Sequence, residues 1–84
     1  MGEVAVNMKV FVDNPENIGK VKEEISKVVK IEDYREEDIG FGIKVLKILF
    51  IVEDSESGGV DKIEEKIKSI EHINEVQVES VGRI

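Results

Sequence analysis

From Glu3 to Asp13 the side chains alternate in character. Val4, Val6, Met8, Val10 and Val12 fall on one side, and Glu3, Ala5, Asn7, Lys9, Phe11 and Asp13 on the other, which predicts a strand with one buried face. Asn14-Pro15 then supplies an N-cap followed by proline at the first helical position. Ile18, Val21, Ile25 and Val28 recur at spacings of three and four, the mark of an amphipathic helix running to about Lys30. From Ile31 to Ile39 charge dominates, with Ile31, Tyr34 and Ile39 set among acids and Arg35, as suits an edge strand guarded by charge. Gly40-Phe41-Gly42 breaks this pattern as a turn would. The run from Ile43 to Glu53 is apolar on both alternating faces through Val45, Leu46, Ile48, Leu49, Phe50, Ile51 and Val52, which predicts a central strand.

The stretch from Asp54 to Gly59 reads as a loop, and Asp61 with Glu64 matches a capping box for a second helix ending near Glu71, with Val60, Ile63, Ile67 and Ile70 inward. Ile73-Asn74-Glu75 is expected to turn the chain, Val76 to Val81 to form a closing strand, and Gly82-Arg83-Ile84 to be a short tail. The order strand, helix, strand, strand, helix, strand predicts an α+β ferredoxin-like βαββαβ sandwich. In it, two right-handed crossovers place two helices on one face of a four-stranded antiparallel sheet, with the first and third strands central. Those are also the two most apolar strands.

Length and charge narrow the function. Eighty-four residues suffice for one core and hence for a single domain, 1–84. Hydrophobic residues make up 40% and charged residues 37%, enough to fold while coating the surface with charge. The net charge of −7 repels nucleic-acid phosphates and anionic lipid, so a basic protein partner or a cation site fits better, with no direct nucleic acid and no membrane. The longest apolar run is too short to span a bilayer, no leader opens the chain and no cysteine is present; the expectation is a cytoplasmic, monomeric protein.

Catalytic chemistry finds little support. His72 is the single histidine, with no serine or cysteine nucleophile beside it, and at a helix end it reads as a solvated or capping residue. Glu36-Glu37-Asp38 and Glu53-Asp54-Ser55-Glu56 lack the EF-hand spacing and read as solvated charge, so no metal and no cofactor is expected. Gly58-Gly59 reads as an ordinary helix entry rather than an anion cradle, because the flanking acids oppose anions. The RNA-recognition motif shares the fold, but its stacking aromatics lie on the central strands and its surface is basic, whereas here the aromatic precedes the strand and the chain is acidic. Two residues remain. Phe41 on its glycine-flanked bend either folds back over the sheet edge, which pattern alone favours, or stands out as an interface anchor. Arg83, next to last, reads on pattern alone as part of a frayed, solvated end.

Gly40-Phe41-Gly42-Ile43-Lys44, then Leu46, Ile48 and the strand end Val52-Glu53-Asp54, followed by an acidic helix and a closing strand with a basic penultimate residue, resemble the elongation factor 1-beta family. The likeness is specific from Ile39 to Asp54 and at the tail, and rests on the element pattern over the first forty residues. It implies a minimal guanine-nucleotide exchange domain acting on elongation factor 1-alpha, the GTPase that delivers aminoacyl-tRNA. By that resemblance Phe41 packs into the GTPase near its nucleotide site and Arg83 reaches the magnesium site, with Gly40 and Gly42 shaping the turn and Lys44 at the rim. Eukaryotic relatives carry lysine at the penultimate place, so Arg83 keeps the charge on a wider, more weakly hydrated fork. The alternative is a regulatory module that binds a small ligand or pairs with itself through an apolar sheet face bearing Phe11, Val45, Leu49 and Ile51.

Overall fold

Strand β1 (Gly2–Val12) buries the side that the alternation marks: Val4, Val6, Met8, Val10 and Val12 are all buried in a computed structural model that describes residues 2–54 and 59–84. Asn14 opens the first helical segment, its side-chain oxygen accepting from the Glu16 amide at 2.9 Å. The segment starts as a 3-10 turn, Pro15–Asn17, before α1 (Ile18–Val28). Proline costs nothing here because its missing N–H belongs to the first, unpaired turn. Then follow β2 (Ile31–Gly40), β3 (Ile43–Asp54), α2 (Gly59–Lys68) and β4 (Ile73–Arg83).

The sheet order is β2-β3-β1-β4, with every neighbouring pair antiparallel. The two most apolar strands therefore lie in the middle, as the ferredoxin-like reading expects. Ile18, Val21 and Ile25 of α1 and Ile67 of α2 join the even residues of β1, Leu46, Ile48 and Phe50 of β3, and Val76 of β4 in one core. Both helices thus cover the same face. Phe50 lies in register with Val6 on one side and Ile31 on the other, with no exposed surface. Phe50→Ala is expected to lose about 3–5 kcal/mol, the cost of removing a ring from a close-packed centre, read as a lower denaturation midpoint at unchanged slope.

Several boundaries differ from the expectation. Helix α2 begins at Gly59, so Asp61 lies inside its first turn instead of capping it, where an acid still complements the helix dipole. The helix stops at Lys68, and Ile73, Asn74 and Glu75 already belong to β4. The reversal falls between them, with His72 at φ 78 supplying the left-handed step. The expected tail is strand as well: Gly82 pairs with Ala5, Arg83 with Val4, and the Ile84 amide donates to the Glu3 carbonyl at 3.0 Å. Of the loop expected from Asp54 to Gly59, Asp54 ends β3 and Gly59 opens α2, while 55–58, and with them Gly58, Ser55 and Glu56, lie outside the described residues.

The face away from the helices is not an open apolar patch. Val45 is fully buried there, and Phe11, Leu49 and Ile51 are half-buried. Across the centre, Lys47 reaches Glu37 at 3.2 Å and Glu79 at 3.7 Å, Lys9 reaches the same Glu79 at 3.9 Å, and Asn7 donates to Ser80 at 2.9 Å. Glu79 is the extra residue of a bulge between the Asn7 and Met8 pairings. Each pair is worth little in free energy, but together they keep water at the middle of the face.

Candidate functional site

The β2–β3 hairpin closes through two residues, Phe41 and Gly42, between the paired Gly40 and Ile43. Such a short connection follows the strand twist in a primed turn, and here both loop residues take the positive φ of the I′ kind, at 57 and 73. Glycine accepts this freely. Phenylalanine does not: a bulky side chain in the left-handed region costs about 1–2 kcal/mol, so the turn holds Phe41 against its own preference. The ring gains nothing within the chain in return, since Phe41 has 101% relative exposure. The ring does not fold back over the sheet edge, the outcome that pattern alone favours, because a left-handed backbone at a two-residue tip aims it away from both strands.

Lys44 stands exposed one residue into β3, opposite Asp38, so Gly40, Phe41, Gly42 and Lys44 share one tip. Arg83 does not join them. It pairs with Val4, which pairs in turn with Val52, at the end of the ladder farthest from the hairpin. From Ile43 to Val52 the strand covers roughly 30 Å at the ordinary rise per residue, most of the molecule's 42 Å long axis. Arg83 is exposed yet engaged within the chain, in the last rungs of β4 rather than a frayed end. Tip and tail therefore stand at opposite ends of the sheet, the one at the hairpin and the other in the last rungs of β4.

His72 is part of a polar clasp instead of a reactive centre. Its Nδ1 lies 3.1 Å from Asp13 Oδ2 and 3.2 Å from Asn17 Nδ2, Asn17 Nδ2 donates to Asp13 Oδ1 at 3.0 Å, and the His72 carbonyl accepts from the Asp13 amide at 2.8 Å. The clasp ties the end of β1 to the first turn of α1 and the entry of β4. Donation from the Asn17 amide, and then from His72, holds the Asp13 carboxyl below its ordinary range. A carboxyl whose folded value is depressed contributes stability above its unfolded value and loses it as the pH falls through the folded one. Asp13→Asn should therefore differ from the wild type in stability near neutrality, with the pH-dependent part of the gap vanishing as the pH falls below about 4. Urea titrations at several pH values measure it, and a gap independent of pH would contradict the assignment.

The acidic run 36–38 is split by the pleat. Glu37 turns to Lys47 on the open face, Glu36 lies opposite Leu46 on the other, and Asp38 Oδ1 accepts from the Gly40 amide at 2.9 Å. Among the described residues no group of three or more His, Asp or Glu is placed to hold a metal ion.

The chain as a whole is similar to known proteins. The family model described as the EF-1 guanine nucleotide exchange domain matches residues 5–84. The chain belongs to that family. Elongation factor 1-beta of Methanocorpusculum labreanum is 41% identical over 86 residues, covering 100% of this chain and 99% of that protein. The namesake of Thermoplasma volcanium is 37% identical over 89 residues, covering all of both chains. That of Aeropyrum pernix is 33% identical over 89 residues, with 100% and 99% covered.

The sequence reading missed two residues of the exchange domain's tip. Ile39 and Ile43, each 46% exposed, flank Phe41 on either side of the turn. Their signal is the alternation 39, 41, 43, which in a strand would share one face but which the glycines on either side of Phe41 interrupt.

Proposed function

We propose that this chain, as one 84-residue domain, is a guanine-nucleotide exchange factor that promotes GDP release and GTP loading on elongation factor 1-alpha during translation elongation. The observation that carries the reading is the fully exposed Phe41 on a strained tip within a chain of the exchange-domain family. A protein that spends conformational free energy to keep an aromatic in water has a use for it outside its own core.

Phe41 is the anchor and Arg83 the effector in this reading. GDP is held to a GTPase largely by Mg²⁺ and by the lysine and amides of the phosphate loop, so a guanidinium brought toward the metal raises the energy of the nucleotide-bound state. The separation of tip and tail supports a division of labour: the aromatic grips a pocket away from the nucleotide while the cation disturbs the metal. Reciprocity fixes the sign, since whatever weakens GDP when the factor is bound weakens the factor when GDP is bound. No bond is made or broken by the chain, so it acts without being an enzyme in the chemical sense. Gly40 and Gly42 let the turn approach the partner closely, and Lys44 lies at the rim.

The acidic surface supports a protein partner over direct nucleic-acid binding. Action in translation elongation places the chain in the cytoplasm in this reading; no helix among the described residues is long and apolar enough to cross a membrane. The ion pairs across the sheet face argue against self-association there and for a monomer, which equilibrium sedimentation tests. The decisive experiment is release of a fluorescent GDP analogue from elongation factor 1-alpha with and without this chain. Unchanged release at saturating chain rejects the proposal.

A further inference from the structure

Three of the six large hydrophobic side chains exposed among the described residues fall within five positions, Ile39, Phe41 and Ile43, all at the hairpin tip. Around them stand Glu36, Asp38 and Lys44, all exposed. An apolar cluster ringed by charge is the composition of an interface centre, where the apolar members fill a pocket and the rim excludes water.

The register explains how the cluster arises. Asp38 pairs with Lys44 and Gly40 with Ile43, so β2 advances two residues where β3 advances one, and Ile39 is the surplus residue of a bulge. Gly40, at φ 97, makes that bulge possible and starts a run of three successive residues at positive φ. Asp38 closes it through the 2.9 Å bond from the Gly40 amide to Oδ1. A side chain that binds the backbone two residues on is a local substitute for the ladder bond that a bulge removes. Nothing else among the side-chain hydrogen bonds of the described residues reaches this turn.

We propose that Asp38 is a positioning residue for exchange: by fixing the bulge at Ile39-Gly40 it presents Ile39, Phe41 and Ile43 as one apolar anchor that seats in an apolar pocket of the GTPase. This rests on the exchange reading for the identity of the partner, and goes beyond it in naming the pocket's chemistry and the group that sets the anchor's pose. Loss of the Asp38 bond leaves the turn able to swing, so the ordering lost in solution must be restored on binding.

The test uses the whole chain with elongation factor 1-alpha carrying a fluorescent GDP analogue, and reads the initial slope of release rate against chain concentration. Asp38→Ala is expected to lower the slope about tenfold, and Asp38→Asn, which keeps an acceptor at Oδ1, to stay within about twofold of the wild type. Ile39→Ser and Ile43→Ser should each lower it by about threefold or more. A general loss of fold is separated from positioning by a double-mutant cycle: in the Phe41→Ala background, Asp38→Ala should lower the slope by clearly less than about tenfold, since only Ile39 and Ile43 remain to be misplaced. An undiminished slope for Asp38→Ala, failure of Asp38→Asn to restore it, or an equal loss with and without Phe41 overturns the inference while the exchange reading stands. If the wild-type chain itself leaves release unchanged, the exchange reading falls first.

Discussion

Replacing Phe41 with alanine is expected to weaken binding to elongation factor 1-alpha by about 2 kcal/mol, close to thirtyfold, with the fold intact. The ring contributes nothing to the domain's own core, so its loss falls entirely on the interface. Replacing it with asparagine adds a second, opposite effect. Asparagine tolerates the left-handed region that Phe41 occupies at φ 57, so Phe41→Asn should gain about 1 kcal/mol of stability, raising the melting temperature by roughly 4–8 °C for a domain of this size. A variant that is more stable and less active would identify the turn as strain retained for function. A variant that melts lower, or one that accelerates release as well as the wild type, would remove the argument for Phe41 as anchor.

Arg83→Gln is expected to separate gripping from release. Affinity should change by less than about threefold, while acceleration of GDP release at saturating chain should fall about 10- to 100-fold, the outcome required by the proposal that the charge acts on the partner's metal more than on docking. The point variant is a cleaner probe than removing the last residues, since Gly82 and Arg83 pair with Ala5 and Val4 and the Ile84 amide bonds to Glu3. Deleting them would also expose the edge of β1. With the two groups roughly 30 Å apart along the ladder, the double variant Phe41→Ala, Arg83→Gln should show additive losses to within about 0.5 kcal/mol. Strong coupling between them would mean that both act on one site, contrary to their placement.

The alternation over 3–13, the spacing of Ile18, Val21 and Ile25, and the two-faced apolar run after Gly42 were sufficient to order the strands and seat both helices, because side-chain period reports directly which face is buried. The ends of elements were harder to read. Gly82-Arg83 carries no alternation to show that it continues the strand, since an edge strand is held by backbone bonds to β1 that any residue but proline can make. The hairpin showed the reverse limit. Its turn was plain from Gly40 and Gly42, yet the outward pose of Phe41 depends on a bulge, and a bulge depends on a register that only pairing between strands defines. The open face misled for a third reason: Phe11, Leu49 and Ile51 look exposed in sequence, but Lys9, Lys47, Glu37 and Glu79 come together there only through the strand order β2-β3-β1-β4.

The β1–β3 ladder runs unbroken from Gly2 against Asp54 to Phe11 against Val45, without a bulge. Such a stiff spine makes the molecule a calliper of set opening. On a GTPase that presents its two seats at that spacing, each jaw lands without bending the domain, so the loss of one leaves the grip of the other as it was.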